Sequence, residues 1–267
     1  MVAGAGAFAR LGHVVKHGRR YAAAAVALVV SAFAIWWSQR DTEHYLSGGT
    51  AEFIALFAAP PVPDSAQTRR ELDELLALEQ SRTAADVAAA QADRRKDLGR
   101  FYMALGFDAD SPPDLPQVRR LLDRVESDIG SYVRAAKTTF HRLRPYEIET
   151  RLHPCIADVR GDQSYPSGHA TYGYVVTGVL EQLAPDRRRE LRLRGDEFAR
   201  QRMVCGVHFR SDLEAGRIAA RWLIQRLDAS PEFLADAAAA ARELRSAGQS
   251  SHPGIASSPA ESPAQSR

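Results

Sequence analysis

The chain has 267 residues, 45% hydrophobic and 25% charged, which is ample for one helical core. Its 35 basic and 33 acidic residues leave a formal net charge of +2. That balance excludes a globally basic nucleic-acid binder, so any attraction to anions has to be local.

Arg10, Lys16, Arg19 and Arg20 precede an uncharged stretch from Tyr21 to Gln39. Ala22 to Val30 suits the apolar core of an export signal, and Ala32-Phe33-Ala34 offers a small-x-small cleavage site. The rival reading is a retained anchor, because the stretch is just long enough to span a bilayer and Trp36 and Trp37 suit an interface. Alanine makes the segment only mildly apolar, which favours cleavage. Either way the basic flank stays inside and the remainder crosses. The expected organisation is a signal or anchor over 1–37, a folded domain over 38–245 and a disordered tail over 246–267, rich in Ser, Pro, Gly, Ala and Gln. No later segment approaches a membrane span, so membrane contact is expected only if the N-terminal segment is retained.

Tyr45 to Ser65 reads as irregular and ends in a proline-rich stretch, Pro60-Pro61-Val62-Pro63. A helix starts at Ser65, with Leu72, Leu75, Leu76 and Leu78 as its apolar face. An alanine-rich helical stretch covers Ala84 to Leu105, and Asp108 to Pro116 is a turn. The next helix, Gln117 to about Leu143, carries Val118, Leu121, Leu122, Val125 and Ile129 and must stop before Pro145. A polar loop, Tyr146 to Pro166, follows. His169 to Leu183 reads as a buried helix, then Asp186 to Cys205, Asp212 to Leu227 and Pro231 to Leu244. Arg187, Arg188, Arg189, Arg192 and Arg194, interrupted by Glu190 and Asp196, read as a solvated helix face. No stretch alternates as a strand. The expected fold is all-α, a single compact helical bundle with the site at converging helix ends.

Cys155 and Cys205 are the two cysteines. In an exported chain they invite a disulfide, the alternative being two buried thiols.

Three short clusters carry the chemistry. Pro166-Ser167-Gly168-His169 opens a helix whose free N–H groups and partial positive charge suit an anion, although a plain serine-capped start explains the tetrapeptide equally well. Lys137 and Arg144 are seven residues apart, about two turns, and so share a helix face. Taken alone, with Arg120, Arg134 and Arg142 nearby, that face reads as solvated. His208 and Asp212 are one turn apart, close enough for a carboxylate to hold one imidazole nitrogen and leave the other free to attack. Arg202 precedes them. Together the clusters supply three cations, a hydroxyl, a glycine-opened helix start and two histidines. That is a kit for holding and transferring a tetrahedral oxyanion.

The patterns K-x6-R-P, P-S-G-H and R-x5-H-x3-D, in this order, resemble the signature of the type-2 phosphatidic acid phosphatase superfamily. Flanking stretches, Ser164 to His169, Gly195 to Phe198 and Arg202 to Gly216, resemble its soluble branch, the class A bacterial nonspecific acid phosphatases. The similarity spans roughly Tyr45 to Leu227. It implies a periplasmic acid phosphatase acting on small-molecule phosphate monoesters, with neither metal nor other cofactor and no nucleic-acid partner; a homo-oligomer is allowed. It implies His208 as nucleophile, Asp212 as its orienting partner and His169 as general acid. Lys137, Arg144, Ser167, the Gly168 backbone and Arg202 would hold phosphate. Gln201 departs from the pattern, which has serine before the arginine; it is expected to substitute as a support for Arg202, the alternative being that the serine touches phosphate and its loss lowers affinity. A mildly acidic optimum is expected, since one histidine must be neutral and the other protonated. The alternatives are an enzyme anchored to the inner membrane, facing the periplasm and acting on lipid phosphates or undecaprenyl pyrophosphate, and a vanadate-dependent haloperoxidase. A non-catalytic phosphate-binding protein would not need the two histidines and the aspartate.

Overall fold

The computed structural model describes residues 44–156 and 163–251. The signal or anchor over 1–37, most of the expected tail and part of the loop after Tyr146 lie outside the described residues. Residues from His44 onward form one unit. It is all-α, with no strand among the described residues. No described helix is long and apolar enough to cross a membrane.

The first helix, α1 (Thr50–Ala55), falls where the sequence reads as irregular. One turn and a half leaves too little periodicity to see. What holds it is Phe53, fully buried among Phe57, Tyr132 and Trp222 at ring distances of 5.1–5.4 Å. Helix α2 (Ala66–Ser81) starts as expected: Ser65 Oγ accepts the Thr68 N–H at 3.1 Å. Helix α3 (Ala84–Ala92), capped by Thr83, stops well short of Leu105. The charged run after it turns away and a 3₁₀ turn forms at Leu98–Phe101. Tertiary pairing overrides alanine's helix preference there, because buried Asp93 takes hydrogen bonds from Arg100 (2.9 Å) and Arg194 (2.5 Å).

Helix α4 (Pro116–Phe140) buries the five predicted apolar residues. It ends three residues early, at Phe140, and His141 after it adopts φ 48°. Arg144 therefore does not share a helix face with Lys137; it precedes a short helix, α5 (Pro145–Ile148). Helix α6 (Gly168–Leu183) is buried by its neighbours α7 (Arg188–Val204, after a 3₁₀ turn at Pro185–Arg187) and α8 (Arg210–Asp228). The last helix, α9 (Pro231–Ser251), packs on α4 and runs past Leu244. Arg188, Arg189 and Arg192 are exposed, as a solvated face requires, whereas Arg194 is recruited to Asp93.

Two features aim the helix ends. Gly206, at φ 68°, follows α7 with its N–H on Met203 O (2.8 Å) and the Val207 N–H on Arg202 O (3.0 Å). This Schellman turn closes α7 at Arg202 and leads the chain directly into His208. Gly216 on α8 lies against the start of α6: a Cβ there would meet the Thr171 nitrogen at 3.0 Å and Ser167 O at 3.2 Å. Behind both, Leu72, Leu75, Leu152, Ala170, Ala199, Met203, Phe209 and Leu213 form an apolar cluster joining α2, α6, α7 and α8. Each large side chain buried there contributes about 1.5–3 kcal/mol.

Candidate active site

The chain leading into α6 sets one wall. Ser164 is fully buried and its N–H donates to Arg142 O at 2.9 Å. Ser167 caps α6, its Oγ accepting the Ala170 N–H at 3.3 Å while its own N–H donates to Asp212 O at 3.0 Å. The capping reading of the tetrapeptide therefore holds for the hydroxyl, and the separate bond from the Ser167 N–H ties the α6 start to α8. Gly168 begins the helix, and a Cβ there would lie 3.5 Å from Val133 Cγ1, an ordinary contact. Packing alone does not demand glycine at that position.

His208 sits in the turn between α7 and α8, almost fully buried. Its Nδ1 lies 3.1 Å from Asp212 Oδ2 and its Nε2 3.1 Å from Arg144 Nη1. A carboxylate can only accept and a guanidinium only donate, so the network assigns the proton to Nδ1 and the lone pair to Nε2. Burial, reinforced by the charges of Arg144 and Lys137, holds the imidazole far below its usual pKa despite the Asp212 bond. Burial alone would raise Asp212, but the hydrogen bond from His208, the Arg142 charge and the Ser164 hydrogen bond outweigh it and keep the carboxylate ionised.

Arg144 and Lys137 act on this imidazole, and Arg202 on its neighbour His169. Arg144, buried, donates from Nη1 to Val207 O (2.9 Å) and from Nη2 to Gln163 O (3.4 Å), and its Nε has no hydrogen-bond partner. Lys137 Nζ donates to the same Gln163 carbonyl, so the two cations converge although they are not on one helix face. Burial and the Arg144 charge push the lysine down to about 7. Arg202, 2% exposed, donates from Nη2 to Ala90 O at 2.8 Å, and its Nε is likewise unpartnered. Burial lowers it to about 10, still cationic at neutral pH. Two buried N–H groups without acceptors, beside a lysine with a weakened charge, want an anion.

His169 stacks on Phe198 (6.2 Å between centroids) with Nε2 3.1 Å from Arg94 O. Burial, then the charges of Arg202 and Lys96, favour its neutral form. A bound dianion reverses that field and draws a proton onto it. Cys155 and Cys205 are bonded, linking the segment after α5 to the end of α7. Among the described residues no group of three or more His, Cys, Asp and Glu side chains is placed to hold a metal ion.

The sequence reading missed Arg142, treated as part of a solvated face, and Glu71. Arg142 is buried and donates from Nη1 to Asp212 Oδ1 at 2.6 Å and from Nη2 to Glu71 Oε2 at 3.0 Å. Ser164 Oγ also donates to Asp212 Oδ2. The available signal was R-x-R-P, two arginines flanking one position just past a helix end. Gln201 is buried, its Oε1 takes no hydrogen bond, and its backbone carbonyl accepts the Cys205 N–H.

An all-α scaffold that gathers buried cations, a helix start and an Asp-held imidazole has the chemistry suited to holding and transferring an oxyanion. Residues 129–227, the segment that carries every site residue from Lys137 to Asp212, match the PAP2 superfamily. Among curated proteins, a non-specific acid phosphatase of Salmonella typhi is 36% identical over 162 residues, 59% of this chain and 65% of that protein. One from Providencia stuartii is 31% identical, covering 58% and 62%. An acid phosphatase of Zymomonas mobilis is 35% identical, covering 57% and 58%. The chain thus matches less than two thirds of the length of these relatives.

Proposed function

We propose that the chain is an exported acid phosphatase that hydrolyses phosphate monoesters with broad specificity, through a phosphohistidine on His208 and without a metal. The observation that carries this reading is the His208 pair: Nδ1 bound to Asp212, Nε2 turned toward Arg144 among buried N–H groups lacking acceptors. The names of the relatives support the substrate class, and the N-terminal pattern and the disulfide support export.

The phosphoryl oxygens take the free N–H groups of Arg144 and Arg202, the Lys137 ammonium and the α6 start, all fixed before substrate arrives. The His208 Nε2 lone pair forms the N–P bond as the P–O bond to the leaving group breaks. His169, protonated in the complex, gives its proton to the leaving oxygen. Water then forms a new P–O bond, the N–P electron pair returns to Nε2, and His169 takes the proton released by water. The test is hydrolysis of p-nitrophenyl phosphate by the full chain at pH 5 to 7 with a chelator present. Robust turnover supports the reading; a folded protein with no turnover, or turnover restored only by metal, contradicts it.

Lys137 gives anion affinity a pH dependence. With its pKa at about 7, the free protein carries this charge below neutrality and loses it above. Sulfate keeps a constant charge over the range, so its competitive binding is expected to weaken about tenfold from pH 6 to 8 as the cation is lost. Lys137→Arg, which stays charged, flattens the dependence. Inhibition constants at the two pH values measure this, and an equal slope in native protein and variant contradicts it.

A further inference from the structure

Behind Asp212 lies a buried ionic network that the phosphohistidine scheme does not use. Arg142 leaves the turn between α4 and α5 and lies over the Phe209 ring, its guanidinium carbon 4.0 Å from the ring centre. Nη1 donates to Asp212 Oδ1 (2.6 Å) and Ser211 Oγ (2.7 Å), and Nη2 to Glu71 Oε2 (3.0 Å). Glu71 also takes the Ser211 N–H and hydroxyl, each at 2.9 Å. Arg142, Glu71 and Asp212 are all buried. A buried arginine held between two carboxylates is costly to desolvate and adds little stability over an apolar replacement, so a role in function is the better reason for it.

Asp212 receives three further donors besides Arg142, all on the opposite oxygen: His208 Nδ1 and the Phe209 N–H at 3.1 and 2.9 Å, and the Ser164 hydroxyl. A carboxylate so saturated is a weak base. It holds the Nδ1–H of His208 without removing it. That matters differently in the two halves of the reaction. When the N–P bond forms, the ring becomes a phospho-imidazolium that still carries Nδ1–H. When water attacks, that positive ring is the leaving group, and it departs more readily the less its proton has been drawn off toward Asp212.

We propose that Arg142, anchored by Glu71, is a positioning residue that keeps Asp212 a weak acceptor and so speeds hydrolysis of the phosphohistidine rather than its formation. The inference rests on the phosphatase reading above. Without Arg142, Asp212 pulls harder on the Nδ1 proton, the phosphorylated ring approaches neutrality and the N–P bond persists. Groups set behind a functional histidine typically matter by about 10–100-fold. Arg142→Gln is therefore expected to lower kcat in that range while kcat/KM, which stops at the first irreversible step, changes much less. The phosphoenzyme accumulates, seen as a burst of p-nitrophenolate approaching one per site and as an alkali-stable N–P adduct after alkaline quench.

Since Arg142→Gln leaves Glu71 unpaired, Arg142→Gln with Glu71→Gln, which removes both charges, serves as the second variant and is expected to behave alike; Arg142→Lys restores part of kcat. Equal losses in kcat and kcat/KM with no burst in the folded variants, or no change in either, overturn the proposal. A substrate-free readout separates this from the phosphatase reading. In ¹⁵N-histidine spectra of the full chain, unmasking Asp212 is expected to raise the His208 pKa by about one unit or more. If the native chain shows no turnover, the phosphatase reading and the kinetic part of this inference both fall, and the titration alone decides whether Arg142 controls Asp212; an unmoved titration overturns that as well.

Discussion

Replacing His208 by alanine is expected to lower kcat for p-nitrophenyl phosphate by about 10⁴-fold or more, the scale on which removal of a covalent nucleophile acts. The residue has no substitute nearby: His169 is the other histidine of the site, and its Nε2 is engaged with Arg94 O. Folding should survive, because both partners of the imidazole keep other bonds: Asp212 retains Arg142, Ser164 and the Phe209 N–H, and Arg144 retains Val207 O. The variant should still bind sulfate, since Arg144, Lys137 and Arg202 remain. Steady-state rates and sulfate binding on the same folded sample check both halves. Residual activity within tenfold of native would remove His208 from the nucleophile's role.

Reducing the Cys155–Cys205 bond is expected to cost about 4 kcal/mol, the loop-closure entropy of a cross-link over about 50 residues. The bond clamps the end of α7 just before Gly206 and His208. The Cys155 N–H also donates to Cys205 O at 3.2 Å, and Gln91 Nε2 donates to Cys155 O at 2.9 Å. Ala90, whose carbonyl holds Arg202, packs in the same small cluster with Ile156, Val204 and Val207. Loss of the bond therefore loosens the cradle as well as the fold. Thermal unfolding with and without reductant measures the first effect; an unchanged melting temperature in protein shown to be reduced contradicts it.

Helix starts with a capping signal were legible to within a residue: Ser65 before α2, α4 read from Gln117 and found from Pro116, α6 read from His169 and found from Gly168. What was not legible depended on partners distant in sequence. α1 exists because Phe53 finds three aromatic rings, and the Ala84 stretch breaks because Asp93 is claimed by Arg100 and Arg194. Pro145 rightly forbade helix before it, but the chain left α4 sooner, at His141, and that changed how Lys137 and Arg144 meet. The three clusters were visible as spacing, and the structure brings them to one place. Arg142 was hidden because an arginine beside other arginines looks solvated until Glu71 and Asp212 are seen around it.

In the proposed reaction the phosphoryl group passes through His208. Mixing the full native chain with p-nitrophenyl phosphate and chelator, quenching in alkali within the first turnover and mapping the label by mass spectrometry tests it directly. The account predicts a phosphoryl group on the peptide carrying His208, on the imidazole nitrogen and absent from His208→Ala. Turnover with no protein-bound phosphoryl at any quench time in native and Arg142→Gln protein alike, or a label on another residue, would contradict it.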